Sequence, residues 1–414
     1  MTALPATPQF DRASFAPLAD WLAVGVAVAL PWSTSATGIF IALWLVVALL
    51  TMDPAALKRE FVTAAGALPV VLWCLGAVGM LWADVSWAGR LGGLGGFNRL
   101  LLIPLLLAHF RRSERGNWVI YGFLVSSALL LLTSYFLVLA PGLTWRGRGV
   151  VGVPVHDDVF QGSEFLICGF GTLGCAVIES GRRKWRNAVL FGPIGALFLA
   201  NFGFAEFSRV ALVVAPVLAA FLGWQWLRWK GLLGVCLIAV LIGPAAWVTS
   251  PMVRWRLETS LAEVRGYLAT NEATPIGEHV AFLKESLAIV ATAPILGHGT
   301  GSIGREFREI AAGKTGVSAE ATVNPHNQTF AIAIQLGMLG AILLWAMWIA
   351  HFLLFRGASI VAWLGTVVVV ENIVSSTVHS HLFDFNNGWL YVFGVGVLGG
   401  MLLRKRDETP DASS

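Results

Sequence analysis

Apolar residues in this chain come in long runs, not in the alternating or three-in-seven patterns of a soluble fold. A run of about 17–25 residues is what a helix needs to cross the hydrocarbon core of a bilayer. Twelve are visible, at roughly 17–33, 35–51, 64–82, 94–109, 117–139, 159–178, 187–202, 208–227, 231–249, 327–354, 358–377 and 386–403. Only Pro31-Trp32-Ser33 separates the first two, which are therefore either a tight hairpin or one broken element. The pattern predicts an all-α, polytopic integral membrane protein of about twelve transmembrane helices, with residues 1–414 forming a single membrane domain. Basic residues gather in alternate connections: Lys58-Arg59, Arg111-Arg112 with Arg115, Arg182-Arg183-Lys184 with Arg186, Arg228 with Lys230, Arg356, and Arg404-Lys405-Arg406. That is the positive-inside arrangement, and it predicts cytoplasmic termini, including the tail 404–414.

One connection breaks the rhythm. Residues 250–326 form a long segment rich in both charge signs, predicted as a periplasmic loop between membrane helices. Within it, 278–292 has helical spacing that sets Val280, Leu283, Leu287 and Val290 on one face, suited to lying along the membrane surface and stopped by Pro294. The run Gly297-His298-Gly299-Thr300-Gly301 reads as a turn and 311–325 as a loop. A second outer loop, 140–158, carries Trp145-Arg146-Gly147-Arg148 and His156-Asp157-Asp158.

Composition narrows the class further. The chain is 57% hydrophobic and only 13% charged, whereas a globular domain is about a quarter charged, so a soluble core, a disordered chain and a disulfide scaffold are excluded. Many of the 18 tryptophans stand near predicted span ends, where an amphipathic ring suits the headgroup layer. The net charge of +4 sits in short separated turns, which argues against nucleic acid. Cys74, Cys168, Cys175 and Cys236 lie inside apolar runs without CxxC spacing and read as small buried hydrophobes. Met1-Thr2-Ala3, followed by Asp11 and Asp20, lacks a signal-peptide pattern, so the first span is expected to be retained.

The informative polar residues are those placed against the topology rule. Arg209 enters an apolar run from a short outer turn, where a guanidinium is costly unless paired or hydrated. It either snorkels to the interface, pairs structurally with Glu206, or clamps an anionic headgroup, to which its rigid fork is suited. Arg254, Arg256 and Arg265 follow in the large loop, with Glu258 and Glu263 as ordinary partners, and a cluster of this kind fits a diphosphate. His326, in Asn324-Pro325-His326-Asn327-Gln328, is a candidate proton acceptor for a hydroxyl, with Asn327 either orienting it or capping the helix that follows. His279 and His298 are weaker candidates for contact with substrate. His379, His381 and Asp384 have an HxHxxD spacing that metal ligands share, but no matching cluster accompanies it, and no metal or cofactor is expected. Glu371 and Asn372, inside a span, suit a proton site or an ion pair.

Taken together these blocks resemble the bacterial O-antigen ligases and O-antigen polymerases. The likeness is carried by His279–Ser286, Ala293–Ser302, Asn324-Pro325-His326-Asn327, Leu336-Gly337-Met338-Leu339-Gly340, Ser208-Arg209, and the stretch from Ser375-Ser376 through Asp384–Trp389. The resemblance implies metal-independent and nucleotide-independent transfer of a glycan from undecaprenyl diphosphate, in the bacterial inner membrane, by a site facing the periplasm. The acceptor is lipid A-core in the ligases and a second lipid-linked glycan in the polymerases. It also implies that Arg209 and Arg265 hold the diphosphate, with Arg254, Arg256, His279, Asn327 and His298 around the substrates, and that His326 is the base. One departure stands out: Gly277-Glu278-His279 occupies the place where the ligase pattern has arginine in a Gly-x-Arg context. Either His279 takes that role or a nearby arginine such as Arg265 does. A transporter is the rival class, disfavoured by unlike halves and a large loop on one side only.

Overall fold

The structure is a computed structural model that describes residues 12–140, 142–143, 150–205, 208–270 and 274–408; Trp145, Arg146, Arg148 and Glu206 lie outside the described residues. No strand occurs among them. Helices α1 (Arg12–Ala29) and α2 (Thr34–Thr51) pack as a tight hairpin, with Ser33 capping α2 by accepting from Ala36 N at 3.3 Å. Helix α3 (Pro54–Phe61) meets α4 (Ala64–Gly79) at a bend of 82°. Next come α5 (Trp87–Asn98) and α6 (Leu102–Phe110), joined by one 3-10 turn. They are followed by α7 (Gly116–Leu139), α8 (Asp158–Gly181), α9 (Trp185–Ala200), α10 (Arg209–Leu227) and α11 (Trp229–Thr249). The segment 250–326 holds α12 (Pro251–Thr270), α13 (Pro275–Thr292) and α14 (Ile303–Ala311). Helices α15 (Gln328–Leu354), α16 (Ile360–Ser375) and α17 (Phe385–Glu408) complete the chain.

Each of the twelve apolar runs folds as helix. Seven helical stretches among the described residues are long and apolar enough to cross a membrane, or eight with the bent α3–α4 pair, while α1 and α16 are apolar but shorter. Leu49, Leu132, Val189 and Leu241 are among the exposed apolar side chains, a surface that lipid solvates and water does not. This is an all-α membrane protein. Cys168 and Cys175 are buried as expected, whereas Cys74 and Cys236 are exposed on apolar helices.

The interior is built on α8, buried along most of its length against α9, α10 and α16, and on α17, which packs between α6 and α16. At the end rich in basic residues, Arg111 donates to Glu60 at 2.9 Å and to both carboxylate oxygens of Asp407 at 2.8 Å. Glu60 has no exposed side-chain surface, so this bridge neutralises a buried carboxylate while tying α3, the end of α6 and α17 together.

Helix α15 is broken inside its apolar run. Gly337 has φ +62° and ψ −163°, a conformation open essentially to glycine alone. The break frees backbone groups, and the glycine turn takes them up: His298 N donates to Ile334 O, Gly299 N to Gln335 O, and Met338 N to Pro294 O, each at 2.8 Å. A membrane helix tolerates such a break only where protein satisfies the backbone. The loop segment is thereby stapled to α15.

The loop segment departs from the sequence reading in three ways. Residues 251–270 and 303–311, not read as helix, are helical; α14 buries Ile303, Glu306, Phe307 and Ala311 while turning Arg308 outward. Helix α13 begins at Pro275, with Thr274 accepting from Gly277 N at 3.1 Å as its cap. Its inward face is Ala281, Phe282, Glu285, Ser286 and Ile289, and the expected stripe turns the other way, with Leu283 and Leu287 exposed. The physical reason is that the protein side supplies a partner for the polar group, Lys314 donating to Glu285 at 3.0 Å, leaving the leucines to the outer surface.

Candidate active site

His326 sits in a turn that the local sequence builds tightly. Asn324 Oδ1 accepts from His326 N at 3.0 Å, and Asn327 caps α15 by accepting from Phe330 N at 3.1 Å. Asn327 Nδ2 also donates to Thr377 O at 2.9 Å, holding the start of α15 to the turn between α16 and α17. His326 itself has φ +52°, the left-handed region that a side chain enters at a cost of about 1 kcal/mol. The capping role belongs to Asn327, and the histidine ring is directed off α15.

It lands in a row of imidazoles. His279 of α13 lies 4.6 Å from His326 between ring centroids, His379 lies 5.1 Å from it, and His381 is 5.1 Å from His379. Phe282 stacks parallel to His326 at 6.0 Å, closing one face. Burial, with His279 and His379 adding repulsion, pushes the His326 pKa down to about 4, so the ring stays neutral. His379 is also lowered by burial, but Asp384 and Asp157 oppose the shift. His381 is fully buried, and its Nδ1 is 3.9 Å from a carboxylate oxygen of Glu371. Among the described residues no group of three or more His, Cys, Asp or Glu side chains is placed to hold a metal ion, the row of histidines included.

Of the predicted arginines, Arg209 is the one whose charge acts on this row. It starts α10, donates to Glu263 of α12 at 2.6 Å, and its charge disfavours protonation of His279 after burial and His379 have done so. The partner within the described residues is thus Glu263. Arg256 lies 3.6 Å from Asp158 at the start of α8 and packs over Trp255 at 5.0 Å. Arg254 is exposed and donates to the carbonyls of Trp247 and Val248, while Arg265 is exposed on α12. His298 is engaged in the glycine turn, with Nε2 2.9 Å from Thr292 Oγ1 and Nδ1 3.3 Å from Glu306. The structure therefore gathers His326, His279, Asn327 and Arg209. The partners that sequence reasoning did not assign to His326 are His379 and, through it, Asp157 and Asp384. Their only signal was the HxHxxD spacing beside a polar turn.

Residues 194–345, which include Arg209, the whole loop segment and His326, match the family model described as O-antigen ligase. Over that stretch the chain is similar to the O-antigen ligases. No curated relative matches the chain. The matched O-antigen ligase region contributes His279, His326 and Arg209 to the site, while His379 and His381 come from beyond it. An O-antigen ligase or polymerase type of function, acting on lipid-linked glycans in a membrane, is what this match supports.

Proposed function

We propose that the protein transfers a glycan from undecaprenyl diphosphate to a hydroxyl of lipid A-core at the periplasmic face of the bacterial inner membrane, without metal or nucleotide. The observation that supports this reading best is the juxtaposition of a neutral, part-buried His326 with Arg209 across His279. A polyprenyl diphosphate is a good leaving group once its charge is matched, and Arg209 supplies a rigid fork for its oxygens in exchange for Glu263. Arg254, Arg256 and Arg265 are the cations of α12. His326 then accepts the proton of the attacking hydroxyl as that oxygen bonds to the anomeric carbon. The bond to the diphosphate breaks with its electron pair on the leaving group. A single displacement of this kind inverts the centre, and no pair of carboxylates is required.

The experiment is deletion of the gene, with gel analysis of surface polysaccharide and of the lipid-linked pool, complemented by the parent and by His326→Ala. Loss of capped lipid A-core with polymer retained on the lipid carrier is the expected outcome. Single-repeat products would instead assign the same site to a polymerase that uses a second lipid-linked repeat as acceptor. An unaltered glycan profile would remove both.

A further inference from the structure

The row of histidines does not end at the base. His379, in the turn between α16 and α17, shares an edge-to-face contact with His326 at 5.1 Å and 71°. Nδ1 of His326, Nδ1 of His379 and both ring nitrogens of His381 are buried without a hydrogen-bond partner among the described residues. Buried polar groups ordinarily find partners, so a run of unsatisfied ring nitrogens along one line marks a functional arrangement more than a packing one. No direct hydrogen bond joins these rings, and neighbouring imidazoles at this centroid spacing can be bridged by a single water.

The two rings stand in different electrostatic surroundings. His326 faces the imidazoles of His279 and His379, which oppose its protonation, while the Arg209 cation acts on His279. Facing His379 are His326, His279, His381, Asp384 from its own turn and Asp157 from the cap of α8. Glu371 of α16 reaches His381 instead. Only His379 has carboxylates that favour its cation. A proton taken up by His326 therefore has beside it a ring whose charged form Asp384 and Asp157 favour.

We propose that His379 receives the acceptor's proton from His326, so that two imidazoles share the base function. This rests on the transfer reaction proposed above and deepens it. The hydroxyl oxygen bonds to the anomeric carbon, the carbon–oxygen bond to the diphosphate breaks with its pair on the leaving group, and the proton passes from hydroxyl to His326 to His379. From there it leaves past Asp157, which is exposed. His379 acts through His326 and is a positioning and relay residue.

The test uses the full-length purified protein with a polyprenyl diphosphate-linked glycan and a matched acceptor. His379→Gln keeps a hydrogen-bonding side chain but cannot carry a proton. The expected result is a kcat lower by about 10- to 100-fold with donor KM nearly unchanged. The acid limb of kcat, set by His379 in the parent, should move to lower pH. Asp157→Asn with Asp384→Asn should move that limb the same way, because removing the carboxylates disfavours the His379 cation. Each amide oxygen can still accept the backbone hydrogen bond of Phe160 or Asn387, so the caps survive and this variant carries the test even if His379→Gln fails to insert. Parental kcat with an unmoved limb, or a loss confined to donor KM, overturns the relay. Failure of the underlying transfer reading looks different: His326→Ala itself then turns over like the parent.

Discussion

A left-handed backbone at His326 separates two roles that one histidine at a helix start would otherwise confuse. Asparagine is the non-glycine side chain that best tolerates this region, so His326→Asn preserves the turn and removes only the imidazole. We expect normal membrane insertion with transfer reduced at least about 100-fold, the scale of a lost general base. Near-parental turnover would leave His326 with a conformational role alone. The pH dependence has a definite sign. A pKa held near 4 keeps His326 itself neutral through the range above it, so its own protonation gives the limb that remains, toward that value, when His379 is replaced. For Arg209, lysine retains charge but loses the two-pronged fork, and activity should drop more than about tenfold, or about 1.4 kcal/mol of transition-state binding. A stably inserted Arg209→Ala protein with normal transfer would reduce the residue to its ion pair with Glu263. Both residues were legible in the sequence because each is polar where the neighbouring run is apolar. His379 was not, because it meets His326 only when the α16–α17 turn docks on the start of α15, a contact that Asn327 makes through Thr377 O.

Among the elements, the spans were readable and the loop helices were not. Long apolar runs leave no alternative to helix in lipid, since every backbone group must be satisfied internally. Helix α12 mixes charges of both signs with scattered apolar residues, and α14 is short, so neither gives a run or a clean stripe. Nor does sequence reveal that α15 breaks at Gly337 to accept the glycine turn. A methyl group there would collide with Ile295 O and face a forbidden φ. Gly337→Ala should therefore free the 293–301 turn from α15, exposing it to limited proteolysis and lowering transfer, with the membrane helices still inserted. Protease resistance equal to the parent would show that the staple is dispensable. Gly92 on α5, where an added methyl meets nothing within 4 Å, is the fitting control.

For the whole molecule, the sidedness drawn from basic residues predicts an extracytoplasmic loop segment. Single cysteines at Thr270 and Ala319, both exposed, should react with an impermeant thiol reagent on intact spheroplasts in a background free of native cysteines. Labelling only after lysis would reverse the orientation and with it the site's access to a periplasmic acceptor. The twelve-run reading and the positive-inside pattern converge on this arrangement, whereas the seven long apolar helices alone would leave the parity of crossings open.

The Arg111 bridge joins segments that are translated far apart in time. Glu60 belongs to the third helix translated and Asp407 to the last, yet both are held by one guanidinium. Until α17 emerges, the slot between α6 and α16 is open, and Arg111 has only its early partner. A ribosome-bound intermediate therefore carries an incomplete bundle, whatever the order in which earlier spans enter the bilayer. Arrival of the final helix closes the groove and completes the bridge in a single event. That same helix follows directly on the turn bearing His379 and His381, so the wall of the histidine row is the last part of the site to be manufactured.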